Sequence, residues 1–201
     1  MPRGRPKNTE ARREQIVEGL LDVIAEHGYD GASIVAIARA AGLAPGGVHY
    51  HFKTKQDVLI ALASRLGDTL RRRWELRMSD AGPDPLVRLD AFIDAHLALQ
   101  GSADPRAVAA WVVIAAESLR RPEVRSAYAA VVDERLTTLR SLCGECLREQ
   151  LGSAHGAAAA AAAILAAIEG AYALATAAPQ SIPPGTAAPT IRKMARSLLT
   201  A

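Results

Sequence analysis

Cysteine and aromatic residues are scarce in this chain: two Cys, two Trp, four Tyr and two Phe among 201 residues. Two cysteines do not make a disulfide framework. No apolar signal segment opens the chain, which predicts retention in the cytoplasm. No strand-like alternation competes with helical spacing anywhere. No apolar run reaches the length of a membrane span except Ala157 to Ala178. That stretch contains Glu169 and is mostly Ala, a weak membrane inserter, so it reads as a tightly packed soluble helix and no membrane partner is expected. There is no phosphate-binding glycine loop, no metal-ligand cluster and no nucleophile with a placed base. An enzyme is therefore not expected, and catalytic residues, cofactor and metal are each read as none.

Half of the residues are hydrophobic, enough for a sizeable core. The net charge of +3 is unevenly placed. Residues 1–73 hold 12 Lys and Arg against 8 Asp and Glu, whereas residues 74–201 hold 12 against 13. The basic end points to a polyanion and the near-neutral remainder to something else.

The stretch from Ser33 to Lys55 organises the rest. Ser33 is a good N-cap. Ile34, Ile37, Ala38 and Ala41 then share one helical face, and Gly42 permits the left-handed residue that ends a helix. Leu43 and Ala44 make a brief turn. Pro45 opens a second short helix, where its missing N–H costs nothing, and that helix carries Val48 inward. Two short helices joined by a Gly-containing turn read as helix-turn-helix, whose second helix enters the DNA major groove.

Ile37-Ala38, Ala41-Gly42-Leu43, Gly46, Tyr50-His51-Phe52, Lys55 and Leu59 together resemble the TetR (tetracycline repressor) family of transcription regulators over about residues 10–65. The resemblance implies DNA contacts from Ser33, Ile34, Pro45, Gly46, Gly47, His49, Tyr50 and Lys55, with Tyr50 and Lys55 as phosphate partners. Two positions depart from the family pattern. Ala44 replaces the usual Ser or Thr cap of the recognition helix, and Gly47 stands where a side chain commonly reaches toward the bases. Arg3-Gly4-Arg5-Pro6 resembles an AT-hook, with two Arg flanking a Gly small enough for a narrow minor groove. A solvated tail contributing charge alone is the other reading of that arm.

The remaining chain reads as helices at about Thr9–His27, Thr54–Met78, Leu86–Leu99, Pro105–Leu119, Pro122–Leu151, Ala154–Ala178 and Pro189–Leu199. The expectation is all-α, a three-helix DNA-binding head with helix-turn-helix plus a helical-bundle body for ligand binding and dimerisation. Residues 1–8 form a flexible basic arm, 9–55 the head and 56–201 the body. Trp74, Phe92, Trp111, Tyr128 and Tyr172, with His96 and Glu169, are candidate walls of a mostly apolar ligand pocket; plain packing is the alternative for each. Aromatic rings with carboxylates suit an organic cation. Ala110-Trp111-Val112 and Ile168 to Tyr172 resemble the TetR branch that includes the repressor of glycine-betaine biosynthesis.

These readings combine into a homodimer, joined through its last two helices, that binds double-stranded operator DNA. An unknown small-molecule effector would tilt the connecting helix from Lys55 toward Met78 and release it. An architectural protein coating A·T-rich DNA without an effector is the alternative. A thiol-sensing regulator built on Cys143 and Cys146 is another, though a C-x-x-C inside a helix lacks the helix N-terminus that lowers a thiol pKa.

Overall fold

Apolar residues at helical spacing dictate the architecture, and every regular element is a helix among the described residues. The computed structural model describes residues 5–97 and 104–200, with side chains from Thr9 onward. The helices are α1 (Arg5–His27), α2 (Ile34–Ala40), α3 (Pro45–His51), α4 (Lys55–Asp80), α5 (Pro85–Leu97), α6 (Pro105–Ser118), α7 (Pro122–Leu151), α8 (Ala157–Ala177) and α9 (Ala187–Thr200). The all-α expectation holds, and most ends fall within a few residues of those predicted. The exception is α1, which starts at Arg5 rather than near Thr9. Pro6 then lies in the first helical turn, where a missing N–H costs no helical hydrogen bond. The predicted break from Gly101 to Asp104 lies mostly outside the described residues.

Packing divides the chain into two units. One holds the residues up to Leu66 together with Pro105–Ala129; the other holds Gly67–Asp104 and Ala130–Ala201. The division falls inside α4 and α7, so it does not coincide with a boundary at 55/56. Contacts through space, rather than chain order, assign α6 to the first unit.

The first unit is built on α1. Ile16, Leu20 and Ile24 repeat every four residues and are buried, with Val17, Leu21 and Val23 beside them. Against this stripe lie Ile37 and Ala38 of α2 and Val48 of α3, all buried; Val58, Leu59 and Leu62 of α4 are buried too, and Arg65 of α4 pairs with Glu18 of α1. In the second unit α8 and α9 pack on each other and both pack on α5. Arg192 of α9 pairs with Asp94 of α5 at 3.0 Å, and Arg196 pairs with Asp90 one turn away. The α8 helix is long and apolar enough to cross a membrane by length and composition alone. One of its faces is buried through Ala161, Ile164, Leu165, Ile168 and Tyr172.

Candidate nucleic-acid interface and ligand cavity

The helix-turn-helix is fixed by local chemistry that its sequence announces. The hydroxyl of Ser33 accepts from the Ala36 N–H at 3.0 Å, satisfying one of the orphan donors of α2. Gly42 has φ +64°, the left-handed conformation that lets the chain leave α2. Ala44 supplies no side-chain cap to α3, and Pro45 occupies its first turn. Thr54 and Asp57 cap α4 reciprocally: Thr54 N–H donates to the Asp57 carboxylate at 2.9 Å, and Asp57 N–H to the Thr54 hydroxyl at 3.1 Å.

Three residues of α1 that the sequence reading passed over hold the motif in place. The Gln15 amide donates to the Ala41 carbonyl at the end of α2. The Arg13 guanidinium donates to the His51 carbonyl at the end of α3 at 2.8 Å and lies 4.1 Å from the Phe52 ring centroid. Cationic and polar groups belong at those C-terminal carbonyls, where the helix dipole is negative. Gly19 is the third: a Cβ there would stand 2.8 Å from the Ile37 carbonyl oxygen and 2.9 Å from the Ala41 nitrogen. Nothing in the spacing of α1 marks these positions, because each answers to a partner more than 15 residues away.

The outward face carries most of the candidate DNA residues. Ser33, Pro45, Gly46, His49 and Tyr50 are exposed, Tyr50 to 80 %, while Ile34 and Gly47 are half-exposed. None of His49, Tyr50 and His51 is buried; Val48 and Phe52 are the inward anchors of this segment. Lys55 is placed differently from the rest. Its ammonium donates to the carbonyls of Tyr29 at 3.1 Å and Ala32 at 2.9 Å, and sits 4.3 Å from the Tyr29 ring centroid. It braces the α1–α2 turn. Arg3, together with the Arg5 side chain, lies outside the described residues, and so does the AT-hook reading of the arm.

The same unit joins α1 to α6 by charge. Arg106 pairs with Glu18 at 3.0 Å and with Asp22, and Arg65 of α4 pairs with Glu18 from the other side. Trp111 and Tyr128 pack here with ring centroids 4.9 Å apart. Neither is among the residues that line the cavity of the second unit beside Trp74.

The second unit contains a partly open cavity of about 50 Å³. Leu70, Arg71 and Trp74 of α4 face Phe92 and His96 of α5, with Val131, Glu134, Arg135 and Thr138 of α7 closing it. Of the predicted wall residues, Trp74, Phe92 and His96 come together. The Trp74 and Phe92 centroids are 6.0 Å apart, and Phe92 stacks on His96 at 4.2 Å. Glu169 and Tyr172 stand behind the wall. Glu169 pairs with the buried Arg135, and the Tyr172 hydroxyl donates to the His96 carbonyl at 2.9 Å. Half of the ten lining residues are polar, more than the mostly apolar pocket expected. Arg135 was not legible as a lining residue, since an Arg in a long helix ordinarily reads as surface.

His96 is 3 % exposed, and its Nδ1 lies 2.8 Å from the Phe92 carbonyl. A carbonyl only accepts, so Nδ1 carries the proton and Nε2 presents a lone pair. Burial, helped by the Arg135 charge, pushes the imidazole pKa down to about 3, which keeps the ring neutral near pH 7. Burial also pushes the Tyr172 phenol up to about 12.

Cys143 and Cys146 are buried free thiols in α7. Burial raises their pKa values to about 12 and about 11, so neither forms a thiolate near pH 7. Oxidant should leave DNA affinity the same in the wild type and in the Cys143→Ser, Cys146→Ser double variant. An oxidant-induced release that vanishes in the double variant would establish the thiol sensor instead. No group of three or more His, Cys, Asp and Glu able to hold a metal occurs among the described residues.

Residues 16–62 match the model of the bacterial regulatory proteins of the tetR family, and residues 85–200 match the C-terminal model of the BetI-type transcriptional repressors. The HTH-type transcriptional regulator BetI of Rhizobium meliloti (strain 1021) is 34 % identical over 136 residues, 66 % of each chain. The chain thus spans just under two thirds of that curated relative. Solved structures align more fully. A transcriptional regulator from Rhodococcus sp. Rha1 superposes with a TM-score of 0.79 at 26 % identity, covering 93 % of this chain and 95 % of the other. A transcriptional regulator from Saccharomonospora viridis, in complex with choline, has the same fold, with a TM-score of 0.74 at 20 % identity over 94 % and 95 % of the two chains. With one family model over the helix-turn-helix and a second over most of the remaining chain, this protein belongs to the TetR family of bacterial regulatory proteins, and its C-terminal part is of the BetI type.

Proposed function

We propose that the chain is a homodimeric transcriptional repressor that holds operator DNA through its helix-turn-helix and is released by a small molecule bound in the second unit. Its family is one of regulators and not of enzymes. The observation that carries the reading is the outward face of α3. His49 and Tyr50 project from it beside two helical glycines, Gly46 and Gly47. A Cβ at Gly46 would meet nothing within 4 Å, and one at Gly47 only the Leu43 side chain at 4.0 Å. Glycine inside a helix costs about 0.5–1 kcal/mol relative to Ala. Nothing within the protein asks for it here, whereas close approach of a DNA strand does. Lys55 keeps one of its three N–H groups for a phosphate after bonding Tyr29 and Ala32.

Dimerisation through α8 and α9 is supported by their uncovered apolar side chains. Leu174 is 44 % exposed, Met194 51 % and Leu198 49 %. The α8 helix also carries exposed alanines, Ala158, Ala159, Ala162, Ala163 and Ala166, which admit a closely packed helix. Two heads so joined would occupy two successive major grooves. The effector part of the reading rests on α4. Its second half lines the cavity through Leu70, Arg71 and Trp74, while Val58, Leu59 and Leu62 of its first half are buried in the first unit. A ligand pressing on Trp74 would tilt this helix and respace the heads, provided that it prefers one spacing over the other. The choline complex of a protein with the same fold supports a small organic ligand. Retention in the cytoplasm follows from the same reading, since the operator is there.

The test is footprinting of the full-length protein on genomic fragments. One protected near-palindrome with two half-sites about one helical turn apart is expected. Cooperative coverage of random A·T-rich DNA would replace this reading with the architectural one.

A further inference from the structure

Resting on the effector reading of the cavity, we infer that its ligand is a small uncharged molecule whose buried end donates an O–H or N–H hydrogen bond to His96 Nε2. The geometry of His96 carries this. The ring is almost wholly buried and lines the cavity, with Nδ1 committed to the Phe92 carbonyl at 2.8 Å. Its Nε2 is buried and has no hydrogen-bond partner in the protein. A buried acceptor without a partner is costly, and a donor from a ligand relieves that cost. Trp74 Nε1, on the same cavity wall, is likewise buried without a partner and offers an N–H. A hydroxyl or a primary amide both donates and accepts, so it suits the two groups.

Charge narrows the class further. The basic side chains of the lining are Arg71 and Arg135, and each already faces its own carboxylate. Arg71 pairs with Glu134 at 3.1 Å and with Asp68 at 2.5 Å. Arg135, 5 % exposed, pairs with Glu169. A ligand cation would find Trp74 and Phe92 for cation–π contact, but it would lie beside two guanidinium groups whose carboxylates are already engaged. A ligand carboxylate would meet Glu134, and it has no proton to give Nε2. A neutral donor escapes both conflicts. The volume of about 50 Å³ admits a molecule of only a few heavy atoms, or the end of a longer one.

Three probes of nearly equal shape separate the terms: choline, its uncharged carbon isostere 3,3-dimethylbutan-1-ol, and the methyl ether of that alcohol. Each is titrated into the full-length protein by calorimetry, with operator affinity measured alongside. The alcohol should bind at least about tenfold tighter than choline. The ether, which lacks the O–H, should bind about five- to tenfold weaker than the alcohol. His96→Leu should erase the difference between alcohol and ether, and His96→Gln, which keeps an acceptor, should restore part of it. Choline binding as tightly as the alcohol would overturn the uncharged class and leave the effector reading standing. An alcohol–ether difference that survives His96→Leu would overturn the role of His96. No binding of any probe at millimolar concentration would overturn the proposal. Tight alcohol binding with unchanged operator affinity would instead overturn the effector reading and leave the ligand class intact.

Discussion

Raising monovalent salt from about 50 to about 200 mM should weaken operator binding by about a thousandfold. The expectation follows from counterion release. Each phosphate neutralised by a Lys or Arg adds about 0.9 to the slope of log affinity against log salt, so about six contacts per dimer give a slope near 5. The charge is in place for this. The first 13 residues hold five Lys and Arg against one Glu. Arg39 at the end of α2 and Lys53 after α3 are both exposed. A second measurement assigns the slope to residues. Lys53→Ala alters two copies in a dimer and should lower the slope by about 1.8 if each copy meets one phosphate. The same substitution should leave the melting temperature unchanged, because Lys53 is exposed. A flat salt titration of the wild type would remove DNA as the partner. A steep wild-type slope that Lys53→Ala does not alter would move the contacts to the arm or to Arg39.

Gly19→Ala is expected to destabilise the first unit by about 3 kcal/mol, at the upper end of what overpacking costs. The reason is that the new methyl would meet backbone first and a short Ala41 side chain next, none of which can swing aside. It would stand 2.8 Å from the Ile37 oxygen and 2.9 Å from the Ala41 nitrogen, the two atoms that form the last hydrogen bond of α2 at 2.9 Å. Only separation of α1 from α2 relieves the clash, and that exposes Ile37 and Ala38, both now buried. Gly46→Ala is the control. With nothing within 4 Å of its Cβ, it should stabilise α3 by about 0.5–1 kcal/mol in the absence of DNA. Urea unfolding followed by helical circular dichroism reads both variants. Equal midpoints for wild type and Gly19→Ala would mean that α1 and α2 pack more loosely than these distances state.

The effect of Gly19 illustrates where sequence reasoning stops. Most of the helices were legible, because they repeat apolar residues every three or four positions and are bounded by a Gly, a Pro or a capping residue. Ser33, Gly42, Pro45 and Thr54 could be read locally, since the partner of each lies within a few residues along the chain. Trp74, Phe92 and His96 were legible as candidates because aromatics are scarce and had to be doing something together.

What determined these features was short-range: helical period, capping hydrogen bonds and the left-handed backbone of Gly42 act over four residues or fewer. Tertiary structure decided everything that depends on a distant partner. It put Lys55 on the Tyr29 and Ala32 carbonyls, a bracing contact that its position in the motif does not reveal. It assigned Trp111 and Tyr128 to the unit built on α1, and neither is among the residues lining the cavity beside Trp74. It also set Glu169 behind Arg135, so that Glu134, rather than Glu169, is the carboxylate lining the site, beside a guanidinium and a neutral imidazole. The physical reason is common to all three. A helix specifies which residues share a face, but the charge or ring that face meets is chosen by another helix, tens of residues away.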